Sequence, residues 1–170
     1  NGQIRDKSWR VEILEAVFRL ASNAEHPFRK ICALGSTDTT CGQLSGGLRL
    51  SMDVLALRSR AVILLLRDDR VKARNLFDEI PLPKPPKSEC SSPWIYDTTA
   101  YYKALQAIIK SGLTPEEKSR GEAMFMLTNA IREADTAQQL QAIVTIIPEM
   151  DLSTPNLASI LSAFVERMKK

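Results

Sequence analysis

The chain has 170 residues, 44% of them hydrophobic but only 6% aromatic, and carries a formal charge of +3. That length suits one domain with its own core, and so few aromatics make it a core of Leu, Ile, Val, Ala and Met. Few glycines and few β-branched runs argue against a β-sandwich or barrel. Interleaved acidic and basic residues, with the small basic surplus lying ahead of Pro81, argue for a solvated surface over a nucleic-acid face.

The chain opens Asn1-Gly2-Gln3, without Met and without an apolar targeting segment. Two readings follow: an exported protein whose presequence was removed, which favours an extracytoplasmic location, or a piece of a longer protein. The first helix is expected from about Ile4 to Ser22. Val11, Leu14, Phe18 and Ala21 form one stripe on it, and Trp9, Ile13, Val17 and Leu20 a second beside it, giving a wide apolar face. His26-Pro27-Phe28 is expected to start a short helix ending near Gly35. Gly35 to Gly47, rich in Ser, Thr and Gly, reads as a loop.

Residues 48–85 organise the rest. Leu50, Val54, Leu57, Ala61, Leu64 and Leu65 recur at helical steps, and the unbroken run Ala61–Leu66 means that other helices surround this one. It is too short and too charged at its ends to span a membrane. Asp68 or Asp69 caps the next helix. Val71, Ala73, Leu76, Phe77 and Ile80 form that helix's inner face, and Pro81 and Pro83 stop it. Ala61 and Ala73 are expected where the two helices approach, with Phe77 buried beside them. Arg74 is expected to form an exposed pair with Asp78.

Residues 81–97 hold Pro81, Pro83, Pro85, Pro86 and Pro93, and read as a stiff strap anchored by Trp94, Ile95 and Tyr96 rather than as a flexible linker. Asp97 caps a helix over Thr98–Ser111 that Gly112 ends, with Tyr101, Leu105, Ile108 and Ile109 inward and Tyr102 at the rim. Thr114, Pro115 and Glu117 make a capping box for a helix reaching about Ala134, with Ala123, Met126, Leu127, Ala130 and Ile131 inward. Asp135 or Thr136 caps a shorter helix packing through Leu140, Ile143, Val144 and Ile147. Ser153-Thr154-Pro155 opens the last, with Leu157, Ile160, Leu161, Phe164 and Val165 inward and Lys169 and Lys170 at its end.

The hairpin resembles one tetratricopeptide unit through Ala61 and Leu64, Ala73 and Phe77, and Pro85. Ala73–Pro81 also resembles the second helix of pentatricopeptide repeats. The resemblance covers about one repeat, and a step of about 34 residues from Ala73 and Phe77 lands on Ala107 and Ser111, without the aromatic. It implies small residues at a close helix contact and an aromatic filling the gap. The fold expected is one all-α domain over 1–170, with seven or eight helices in packed αα-hairpins, arranged as an open α-solenoid-like array.

The residues that carry chemistry are sparse. His26, the single histidine, stands in a turn, and its spacing to Cys32 matches no catalytic pattern. Cys32, Cys41 and Cys90 fit no zinc spacing. For Cys32 and Cys41 two readings stand: a disulfide, should the chain be exported, or buried thiols. Asp68-Asp69 and Glu116-Glu117 read as caps. Gly42, Gly46 and Gly47 lack the Lys and Ser/Thr of a phosphate loop. Arg60, Arg67, Arg70 and Arg74 are candidates for a basic edge, and Tyr101-Tyr102 for a stacking surface. No catalytic, cofactor-binding or metal-ligating residue is assigned. The expected function is a non-enzymatic scaffold or interaction module whose partner is another protein, with no nucleic acid, metal or cofactor. The alternatives are a helical segment of a larger exported protein, or an RNA-binding helical repeat.

Overall fold

The computed structural model describes residues 6–24, 28–30, 51–84, 94–150 and 153–169. Eight α-helices run through them: α1 (Lys7–Leu20), α2 (Val54–Leu65), α3 (Arg70–Asp78), α4 (Thr99–Ala107), α5 (Pro115–Ser119), α6 (Glu122–Glu133), α7 (Ala137–Ile146) and α8 (Thr154–Met168). Short 3-10 turns follow α1 and α7, and α4 runs on into a π-helical turn over Ile108–Gly112. The architecture is all-helical except for one antiparallel pair, β1 (Phe28–Lys30) with β2 (Trp94–Tyr96), in which Phe28 faces Tyr96 and Lys30 faces Trp94. Among the described residues no helix is long and apolar enough to cross a membrane. The expected loop at 35–47, His26, the three cysteines, Pro85, Pro86 and Pro93 lie outside the described residues.

Of the helix expected from Pro27, the described residues Phe28–Lys30 are extended instead. Their backbone groups pair with Trp94-Ile95-Tyr96, three residues suited to a strand, far away in sequence. The expected helical start near residue 48 is also corrected. Ser51 has φ +54°, a left-handed conformation that a right-handed helix cannot include, and Asp53 begins α2 by accepting the Ala56 N–H at 2.8 Å. Gly121, at φ +83°, divides the helix expected over 115–134 into α5 and α6.

Helix α2 packs against α1, α3 and α4; α4 packs on α7, and α6 on α8. Ala61, Ala73 and Ala104 are each at most 1% exposed, so small residues stand on all three helices of the central contact. Phe77 is buried as expected, and its ring stacks on Tyr101 with centroids 5.2 Å apart. Tyr101 in turn meets Tyr102 edge-on, also at 5.2 Å. Tyr102 is therefore core and not rim, and the two tyrosines form no exposed stacking surface. Burial pushes the Tyr101 hydroxyl up to about 12. The π-helical turn carries Gly112 against α2: a Cβ there would meet Leu66 Cδ2 at 3.2 Å and Ile108 Cδ1 at 3.3 Å.

Several expected inner positions instead face outward. Val71 on α3, Leu64 on α2 and Val144 on α7 are exposed, as are Trp9, Val17 and Leu20 on α1 and Leu157, Leu161 and Val165 on α8. One stripe of each terminal helix meets the core, while its neighbouring stripe does not. For α1 the core stripe is the one holding Phe18 and Ala21. For α8 it is Ile160 and Ala163.

Arg74 does not pair with Asp78. Its guanidinium donates to Glu117 of α5 and, at 3.3 Å, to Glu122 of α6, so it ties α3 to both. Thr114 and Glu117 form the expected capping box, with Glu117 Oε2 accepting the Thr114 N–H at 2.7 Å. The Glu117 carboxyl is consequently held below its ordinary range, first by the Thr114 N–H and then by Arg74.

Two outcomes follow. Phe77→Ala leaves a cavity against Tyr101 and costs about 3–5 kcal/mol, whereas Ala73→Leu overpacks the α2–α3 approach and costs about 1–3 kcal/mol; denaturant melts that left either variant as stable as the native chain would refute this packing. The Glu117 contribution is present above the carboxyl's unfolded pKa and is lost as pH falls through its lower, folded value. Hydrogen exchange of the α5 amides should therefore lose protection below about pH 4 in the native chain. Glu117→Gln should remove most of that pH dependence, and an unchanged acid profile would contradict the assignment.

Candidate functional site

A groove of about 690 Å³ with mainly apolar walls lies between α2 and the segment leaving α3. Val54 and Arg58 stand one turn apart on α2 and form one wall. Residues 80–84 form the other, with Ile80 and Pro83 buried, Leu82 half-buried and Lys84 exposed. Ser22, in the turn after α1, and Glu133, at the end of α6, complete it.

The strap wall is held by Gln139. This side chain is 1% exposed and donates from Nε2 to the Pro83 carbonyl at 2.6 Å. Its Oε1 accepts the N–H groups of Asp135 at 2.8 Å and Thr136 at 3.0 Å. Thr136 Oγ1 accepts the Gln139 N–H, which closes a capping box at the start of α7. One amide thus supports the start of a helix and fastens a proline carbonyl of the strap. Thr136, rather than Asp135, caps α7.

Arg58 is the charged group of the groove. Its guanidinium carbon stands 4.9 Å from the centre of the buried Phe18 ring, and Nη2 donates to Ser22 Oγ. Its Nε is buried without a hydrogen-bond partner. Among the described residues Arg58 has no ion pair. Glu79 feels its charge, but that carboxylate is engaged by both Nη1 and Nη2 of Arg19.

A second hollow, of about 360 Å³, lies between α2 and α4 and brings together Asp53, Ser59, Arg60, Asp97 and Lys103. Burial raises the Asp53 carboxyl, opposed chiefly by the Ala56 N–H. Asp97 accepts the Thr99 N–H at 2.9 Å. Both carboxylates are thus committed to helix starts. Among the described residues no group of three or more His, Cys, Asp or Glu could hold a metal ion.

The sequence-derived candidates do not assemble. Arg60 lines the α2–α4 hollow, Arg67 and Arg70 stand beside Asp68 and Asp69 at the hairpin turn, and Arg74 is engaged by Glu117 and Glu122. The Asp68-Asp69 pair is divided between two structural tasks: Asp68 accepts from Arg10 of α1, with Nε at 3.1 Å, and Asp69 caps α3 through the Lys72 N–H at 2.9 Å. Arg58 and Gln139 had no role in the sequence reading. The Thr136-x-x-Gln139 spacing was a readable capping box, but nothing in the sequence marks Gln139 as the support of Pro83. Arg58 resembles every other arginine of α2 until Phe18 and the strap close round it. No protein-family model matches this chain, and neither a curated protein nor a solved structure matches it.

Substitution at Gln139 separates its two tasks. Gln139→Glu keeps an acceptor for the α7 cap but loses the donor to the buried Pro83 carbonyl, and should cost about 1–3 kcal/mol. A denaturant melt matching the native chain would show that the strap needs no such support.

Proposed function

We propose that the protein is a non-enzymatic helical module that acts by binding another protein, with its hairpins stacked in an open, solenoid-like array. The observation that carries this reading is the outer face of α8. Leu157, Leu161, Val165 and Met168 recur there at three- and four-residue steps, with Leu161 56% and Met168 69% exposed. Isolated exposed apolar residues are ordinary, but an aligned stripe is the form a partner helix meets. Trp9, Val17 and Leu20 on α1, and Phe125 on α6, 73% exposed, support the same reading. The burial of Ala61 and Ala73 on the packed helices α2 and α3 is in keeping with the tetratricopeptide-like resemblance. The ion pairs support binding of protein over RNA, since Arg10, Arg19, Lys72, Arg74 and Arg167 are each engaged by a carboxylate of the same chain.

The test compares the native chain with a Leu161→Asp, Val165→Asp double variant. Both changes are at outward positions, so the melting temperature should hold. The native chain should recover one helical protein in stoichiometric amount, through cross-links at Lys169, and the variant should lose it. Equal recovery by both would remove α8 from the reading.

A further inference from the structure

Arg58, which no carboxylate among the described residues engages, carries an inference that does not depend on a protein partner. A guanidinium has five N–H donors and no acceptor. At Arg58 one donor is directed to Ser22 Oγ, Nε has no partner, and no carboxylate of the described residues engages the group. The side chain lies over the buried ring of Phe18, which orders the guanidinium. Facing it are Pro81 and Leu82, Val54 stands beside it on α2, and Lys84 is at the rim. Glu133, the single carboxylate of the lining, is on the end of another helix, and the groove's charged side chains sum to a net positive charge. Its volume falls within the range of small-molecule sites, which combine apolar walls with a few orienting polar groups.

We propose that this groove binds a carboxylate carried on a short apolar body, with Arg58 anchoring the carboxylate and the Pro81–Pro83 strap covering the body. A planar two-oxygen acceptor suits guanidinium donors. The walls supply the apolar contact that a fully hydrated anion such as free phosphate would not use. The same chemistry occurs in a free aliphatic acid and in the C-terminal carboxylate of a polypeptide ending in an apolar residue.

Calorimetric titration of the native chain at neutral pH with octanoate, octanol and octylamine tests this directly. Octanoate should bind at least about tenfold more tightly than octanol, and octylamine should not bind. Arg58→Gln should bring octanoate to the level of octanol while leaving octanol unchanged. Lys84→Gln, at the exposed rim, should alter octanoate binding by no more than about twofold. Because Arg58 packs on Phe18, its variant may be judged only if its melt is cooperative; the native series of three ligands decides without it. A pentapeptide ending in Leu, compared with its C-terminal amide, identifies the source: tighter binding than octanoate that is lost on amidation assigns a polypeptide end, and binding of octanoate alone assigns a small acid. No measurable octanoate binding, equal affinity for octanoate and octanol, or a preference that survives in folded Arg58→Gln would overturn the proposal.

Discussion

The close approach of α2, α3 and α4 is the constraint on which the rest of the structure depends. Ala61, Ala73 and Ala104 are almost fully buried, and Gly112 leaves room for Leu66 where the π-helical turn meets α2. Small side chains bring the helix surfaces together, and Phe77, Tyr101 and Tyr102 fill the space that remains in a chain of ring contacts. Close packing of this kind leaves little tolerance for added volume. It also sets where everything else lies: α1 packs on α2, α7 on α4, and α5 and α6 are tied to α3 through Arg74.

The groove is a consequence of that arrangement. The prolines that stop α3 cannot continue as helix, so the chain crosses past α2 with carbonyls that need donors. Gln139 of α7 supplies one, and the strap becomes a fixed wall instead of a loose link. Arg58 lies opposite, ordered by Phe18 and Ser22. A fixed apolar wall facing a fixed cation is an arrangement that costs a ligand little ordering entropy.

The terminal helices make a different use of the same economy of contacts. Each has one stripe against the core and another facing outward, because α1 packs chiefly on α2 and α8 chiefly on α6. The central helix α2 has neighbours on several sides and buries Leu55, Ala61, Val62 and Leu65 against them. The outward stripes therefore mark α1 and α8 as the places where further apolar surface can be covered.

Helical periodicity, caps and stops determined the all-helical architecture and most element positions by local chemistry alone. Phe18, Ala73, Leu76, Phe77, Leu105, Leu127, Ile143 and Ile160 were legible as inner residues, as were the capping box at Thr114 and the stop at Pro81, because each signal lies within a turn or two of its effect. Tertiary structure decided what such signals cannot carry. A broad apolar face does not say which of its stripes finds a neighbour, so Leu20, Val71 and Leu161 were misplaced. Pairing of Phe28–Lys30 with Trp94–Tyr96, Arg74 with Glu117 and Gln139 with Pro83 joins residues far apart in the chain. The groove belongs to this second class. Val54, Arg58 and Leu82 become one surface only when α2 and the strap are brought together, and whether any carboxylate among the described residues reaches an arginine is a property of its surroundings in space, not of its neighbours in sequence.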